Sequence, residues 1–181
     1  MKISQLSGLL VLMMLPGLAY AGSYAPLADF SKVSNKPQCQ LTTSMHQSFL
    51  KKWTPPAKYF KIPVYSNAVL VSAIPSGTAK VQGKNYRTFP SAILLSPDSP
   101  AKIISFYKQI LGVGWFQAND ADMMYIYRMP RPVNSGQALT QQLMSKPGYI
   151  PYIALDTGLG PCDQLLGNGA RTRITVVAAP R

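Results

Sequence analysis

Cys39 and Cys162 are the only cysteines in this 181-residue chain. In an oxidising compartment a lone pair defaults to a disulfide. Such a bridge would tie the N-terminal extension to the last third of the chain. The loop it closes is worth on the order of 5 kcal/mol in the chain-entropy model. The competing use is a catalytic thiol acting with His46, the one histidine. A lone histidine is more often structural, and no Asn or Asp motif accompanies it to orient the ring.

The compartment is read from the N-terminus. Lys2 precedes an apolar run from Leu6 to Leu18, and Ala19-Tyr20-Ala21 is a small-x-small cleavage pattern before Gly22. Residues 1–21 therefore read as a cleaved secretory signal peptide, with an apolar run too short for a membrane anchor. No cysteine follows the run at a lipoprotein position. The expectation is a soluble exported protein, periplasmic or extracellular, because such signals serve both fates.

Charge is the second constraint. The chain carries 18 Lys+Arg against 6 acids, all Asp, for a net charge of +12. Of these only Lys2 lies in residues 1–21, so the excess belongs to the rest of the chain. A field of this size concentrates anions near the protein whatever its detailed fold. The length fits one domain. A hydrophobic content of 47% rules out wholesale disorder and a collagen-like or coiled-coil rod.

Periodicity divides the chain into alternating elements. Residues 22–36 are polar and read as a loosely held arm. Thr42–Trp53 reads as a helix with Met45, Phe49, Leu50 and Trp53 on one face, Thr42, Thr43 or Ser44 as cap, and Pro55-Pro56 as stop. Ala68–Ile74 is a β-branched apolar run and Tyr86–Leu95 a second strand kinked at Pro90, together a loose hairpin over 68–95. The clearest helix follows. Ser99 is its cap, Pro100 sits at its first position, and Ile103, Ile104, Phe106, Tyr107, Ile110 and Leu111 form its stripe before Gly112. Trp115–Gln117 and Met123–Met129 read as strands around a turn at Asn119-Asp120. Gly136–Lys146 is a short amphipathic helix and Tyr149–Leu155 a weak strand. Residues 158–169 are a glycine-rich loop pinned by Cys162. In Arg171–Ala178, Thr172, Ile174, Val176 and Ala178 alternate against Arg171, Arg173, Thr175 and Val177.

Hairpins joined by helices predict a single-domain α+β fold with a mainly antiparallel sheet, two or three packed helices and one disulfide. Residues 22–61 would form an N-terminal arm and helix, and residues 62–181 the α+β domain. One segment resembles small exported bacterial α+β proteins, mostly of unassigned activity. It runs over residues 62–129, from Pro63-Val64-Tyr65 through Asp98-Ser99-Pro100, Phe106-Tyr107 and Leu111 to Gly114-Trp115. The matching motifs are structural, so the resemblance implies fold and transfers no functional residue.

Catalytic patterns are thin. There is no Gly-x-Ser-x-Gly, and Asp120 and Asp122 fall at an expected hairpin tip, where Asp is a common turn former. Scattered Asp and one His give no metal-ligand spacing, so neither metal nor cofactor is expected. Binding has more support. Lys51 to Lys61 holds Lys51, Lys52, Lys58 and Lys61 with Trp53, Tyr59 and Phe60, and no acid. Lysine heads attract an anionic surface, while Trp53 and Tyr59 suit a polar–apolar boundary. The bland alternative keeps the aromatics in the core and the lysines as solvated surface. Arg171 and Arg173 share a strand face, and Arg128 and Arg131 flank the end of another strand. Neighbouring strands would make these a four-arginine patch suited to phosphate or sulfate.

These residues point to a non-enzymatic binding module for an anionic surface. Phospholipid or phosphoinositide headgroups come first, and acidic polysaccharide next; a secreted effector would meet either. Nucleic acid fits the aromatic interleaving but not the address. Two alternatives stay open: a structural or protein-interaction subunit of the envelope or an export system, and a small enzyme using His46 or Asp120–Asp122.

Overall fold

The β-branched apolar runs after residue 67 become strands, and these strands close on one another through antiparallel pairing. A computed structural model describes residues 23–81, 83–145 and 150–179. The expected signal peptide lies outside them, as do Lys146 and Tyr149 at two expected element ends. The strands are β1 (Val69–Ile74), β2 (Gly77–Val81), β3 (Lys84–Thr88), β4 (Ser91–Ser96), β5 (Trp115–Asp120), β6 (Met123–Arg128), β7 (Tyr152–Asp156) and β8 (Thr172–Val177). Six of them form an antiparallel sheet in the order β1-β4-β8-β7-β6-β5. β2 and β3 pair only with each other. The helices are α1 (Ser31–Ser34), α2 (Gln40–Lys52), α3 (Pro100–Ile110), α4 (Gly136–Ser145) and α5 (Pro161–Leu166), with a 3₁₀ turn at Pro37–Cys39. The α+β class, the antiparallel sheet and the Cys39–Cys162 disulfide follow the expectation, with five helices among the described residues where two or three were expected, because α1 and α5 are short helical turns the periodicity does not reveal.

Both sheet faces are covered. Leu94, Ile126, Ile153, Leu155, Ile174 and Val176 meet Ile103, Ile104 and Tyr107 of α3 in the main core. The alternate residues point the other way. Val71 and Leu95 meet Val33, Cys39 and Leu166, and Tyr125, Tyr127 and Ala154 meet Leu139 of α4. This two-sided burial explains the nearly continuous apolar runs of β1 and β4.

Several boundaries depart from the sequence reading. Residues 22–36 are not a loose arm: Tyr24, Ala25, Ala28 and Val33 are buried. The segment lies along β1, where the Leu70 N–H donates to Pro26 O and the Ala28 N–H to Leu70 O. It covers the open edge of the sheet, which would otherwise present unpaired backbone groups. Tyr24 and Phe60 share one core with Ile62 and the strands, so the described residues up to 61 pack into the same core as those that follow. The stretch 68–95 is not a simple hairpin, because the β2–β3 ribbon is inserted between β1 and β4. β5 continues through Asn119-Asp120, and the turn falls one step later at Ala121, which takes φ 48°. The stretch 158–169 contains α5, with Pro161 at its first turn.

α2 is rotated from its expected face. Thr43 and His46 are buried, whereas Leu41 is 84% and Met45 49% exposed. Cys39, at the N-cap position, is bonded to Cys162 of α5, and Trp53 at the other end is held among aromatics. These two ends set the rotation, and hydrophobicity alone did not.

Candidate anion-binding end of the sheet

Strand registers sort the charges. Val69 is opposite Leu95, Ser96 opposite Thr172, Arg173 opposite Asp156, and Asp156 opposite Met123. This row is one end of the sheet, and Asp98, Asp120, Asp122 and Asp156 lie on or beside it. Asp163 joins them through its ion pair with Arg173. Asp29, the remaining carboxylate, lies in the segment alongside β1 and accepts from Ser31. The opposite row runs Ile74–Ser91–Val177–Tyr152–Tyr127–Phe116. At or beyond it come the β2–β3 ribbon with Lys80, Lys84 and Arg87, then Arg128 at the end of β6 and Arg131 after it, and the C-terminal end of α3 with Lys108. Lys61 is fastened there by its N–H to Ala179 O. No Asp side chain lies at this second end. Among the described residues only Lys102 and Arg173 are in ion pairs, and both are at the acidic end.

The basic end contains a groove of about 320 Å³. Its walls are Ile62, Pro63, Ile110, Leu111, Trp115 and Ala178, and Lys61 and Arg128 stand on its rim. Trp115 and Arg128 are cross-strand partners, so their side chains project from the same face. Beside the groove the α3–β5 turn carries Val113, fully exposed, between Gly112 at φ 65° and Gly114 at φ 89°. Ile110 is 43% exposed. The two apolar side chains therefore stand out among cations.

The residues singled out in the sequence fall into separate places. Lys51, Lys52, Lys58 and Lys61 are exposed. Trp53 and Tyr59 are half-buried, with ring centroids 5.1 Å apart, and each meets Phe60 edge-on. They brace the core beneath the lysines and are not free interfacial anchors, which is the bland reading of this segment. The four-arginine patch does not form. β7 separates β6 from β8, and Arg128 and Arg131 are at the opposite sheet end from Arg171 and Arg173, roughly 20 Å apart at strand spacing and rise. Arg173 is also occupied: it donates to Asp156 at 2.7 Å and to Asp163.

No protein-family model, curated protein or solved structure matches this chain. The site must therefore be judged from its own chemistry.

The enzyme candidates are structurally engaged. Cys39 and Cys162 are oxidised, so His46 has no thiol to activate. His46 is buried near Asp163 and Arg173, and desolvation pushes its pKa below the usual imidazole value. Asp120 accepts from the Thr140 hydroxyl across to α4. Asp98 is held down at about 2 by donors from Lys102, Asn67 and Tyr65, while burial and this bond push Tyr65 up to about 12. That cluster fastens the segment leading into β1 to the β4–α3 connection and the first turn of α3. Among the described residues no group of three His, Cys or Asp could hold a metal ion.

Sequence reasoning missed Lys80, Lys84, Arg87, Lys108, Ile110 and Val113 as members of one surface. A usable signal existed for the first three, since residues 69–97 contain three cations and no acid. Nothing local connected them to Lys61 or Arg128, which only the register brings to the same end.

Proposed function

We propose that this chain is an exported, non-enzymatic binding module that docks on an anionic phospholipid surface through the basic end of its sheet. One observation carries the reading. The fold collects Lys61, Lys80, Lys84, Arg87, Lys108, Arg128 and Arg131 at one end and places the Asp side chains away from them. Cations gathered at one end, with no ion-pair partner among the described residues, attract an anionic bilayer by about 1 kcal/mol each. Val113 and Ile110 add apolar contact at headgroup depth, and the lysine stems extend it.

The test is co-sedimentation of the oxidised protein with vesicles of phosphatidylcholine, phosphatidylserine or phosphatidylinositol phosphate at low and high salt. Neutralising the ribbon (K80Q/K84Q/R87Q) should weaken anionic-vesicle binding by roughly 100-fold at ~1 kcal/mol per cation. Lys32 bonds Asn168 just before β8, Lys36 follows it on the same short segment, and the Arg171 N–H donates to Ser96 O, so K32Q/K36Q/R171Q removes the same charge from the acidic end and should change binding little. Equal losses in the two variants, or equal binding to neutral vesicles, would refute the reading. A soluble acidic polysaccharide that competes only at matched charge concentration supports it; one that binds far tighter than any vesicle overturns it.

A second reading has its own observation. Leu41 and Met45 are exposed one turn apart on α2, outside the basic end. That stripe suits a protein partner in the envelope or an export system. Salt-insensitive capture of one stoichiometric envelope protein, lost in L41K/M45K, would favour it.

A further inference from the structure

The groove at the basic end is more than a surface feature. Its volume of about 320 Å³ falls at the lower limit of small-molecule pockets. Leu111 and Trp115 also bound a second cavity of about 90 Å³, lined as well by Lys108, Tyr107, Phe116 and Ile126. Ile62 and Pro63 are shared with a third of about 210 Å³, whose lining includes Lys58, Tyr24 and Phe60. The groove therefore shares apolar walls with two smaller cavities, and each of the three has a cation in its lining. Flat docking on a bilayer needs no such concavity.

We infer that this groove binds one anionic single-chain amphiphile, a carboxylate or phosphate on a single alkyl chain. The inference deepens the membrane reading and rests on it for the charged rim. Among the described residues Lys61 and Arg128 have no carboxylate partner, so an anionic head gains charge-assisted contacts there that a neutral ligand does not. Arg128 presents a planar fork suited to either head. The α3 carbonyls end at Ile110 and Leu111 on the opposite wall and disfavour an anion there. These two effects orient the ligand. The head sits between Lys61 and Arg128, and the chain lies against Leu111 and Trp115. At about 30 Å³ per water-sized group, the volume admits a chain of roughly ten carbons, too little for a two-chain lipid.

The structure supplies a reporter. The chain has two tryptophans. Trp115 lines the groove, and Trp53 packs on Tyr59 and Phe60 away from it. The experiment titrates the oxidised protein with alkyl carboxylates, alkyl phosphates and alkanols of six to sixteen carbons, each below its micelle concentration, and follows tryptophan emission. Saturable one-to-one binding should shift emission in wild type and W53F but not in W115F. Affinity should rise about fourfold per methylene and level off near ten carbons. The alkanol of matching length should bind at least tenfold more weakly. Carboxylate against phosphate separates a fatty acid from a lysophospholipid-type head. K61Q/R128Q should lose the preference for charge, and A179W, at a further lining residue of the groove and removing no cation, should lose binding altogether in equilibrium dialysis, since it adds a tryptophan. Affinity that climbs without limit to sixteen carbons, or an A179W protein that is folded and binds like wild type, would overturn the inference. Vesicle binding retained in A179W would mean that the surface reading stands while the groove reading falls.

Discussion

Replacing Cys39 and Cys162 together by alanine should cost about 5 kcal/mol of stability. The two residues are 123 positions apart, and closing a loop of that length removes about 5 kcal/mol of chain entropy from the unfolded state. Packing adds a smaller share. Cys39 is fully buried with Val33, Leu95 and Leu166, so the lost sulfur leaves a void worth under about 1 kcal/mol. The bridge also joins the start of α2 to α5, and α5 supplies Asp163 to Arg173. The loss should therefore be felt across the sheet and not only at the chain end. Urea unfolding followed by circular dichroism measures it directly. For a protein of this size the thermal midpoint should fall by about 10–20 °C. The urea slope should stay constant or rise, because an unbridged chain unfolds to a more expanded state. A loss below about 2 kcal/mol with an unchanged slope would refute loop closure as the source of the stabilisation. Loss of hydrogen-exchange protection confined to α1, α2 and α5 would show that the bridge acts locally.

Three further perturbations follow from named contacts. Arg173→Ala should destabilise by about 2–4 kcal/mol in urea unfolding, since it strands Asp163, 9% exposed, beside Asp156; Asp163→Asn in that background should recover part of the loss. Asp98 is depressed to about 2 in the folded protein from 3.8, so its contribution is complete above pH 4 and disappears as pH falls from 4 toward 2. Asp98→Asn should flatten that acid limb of a stability–pH profile, and an unaltered limb would count against the assignment. Gly136→Ala should destabilise by more than about 2 kcal/mol, because its Cβ would overlap the Asn119 carbonyl where α4 packs on β5; retained Thr140–Asp120 coupling in the variant would contradict this.

Local signals in the chain were enough for the α+β class, α3 and the alternation of β8. Ser99-Pro100, a stripe at helical spacing and Gly112 act within a few residues, so α3 appears where the sequence put it. The Cys39–Cys162 pair was also legible, because two cysteines admit one pairing. The run Lys51–Lys61 was visible as basic and aromatic. Whether its rings were core or interface was not, since an aromatic pattern looks the same in either setting. What tertiary structure alone decided was direction. Arg128 and Arg173 each end or begin a strand, and sequence cannot say that β7 intervenes and sends them to opposite ends. Nor could it say that β2–β3 leaves the sheet beside Lys61. Strand order and register are set by how both faces bury their side chains at once, a property of the whole core. Charge sorting depends on that register, so the +12 was readable in the sequence, and the gathering of seven described cations at the end away from the Asp side chains was not.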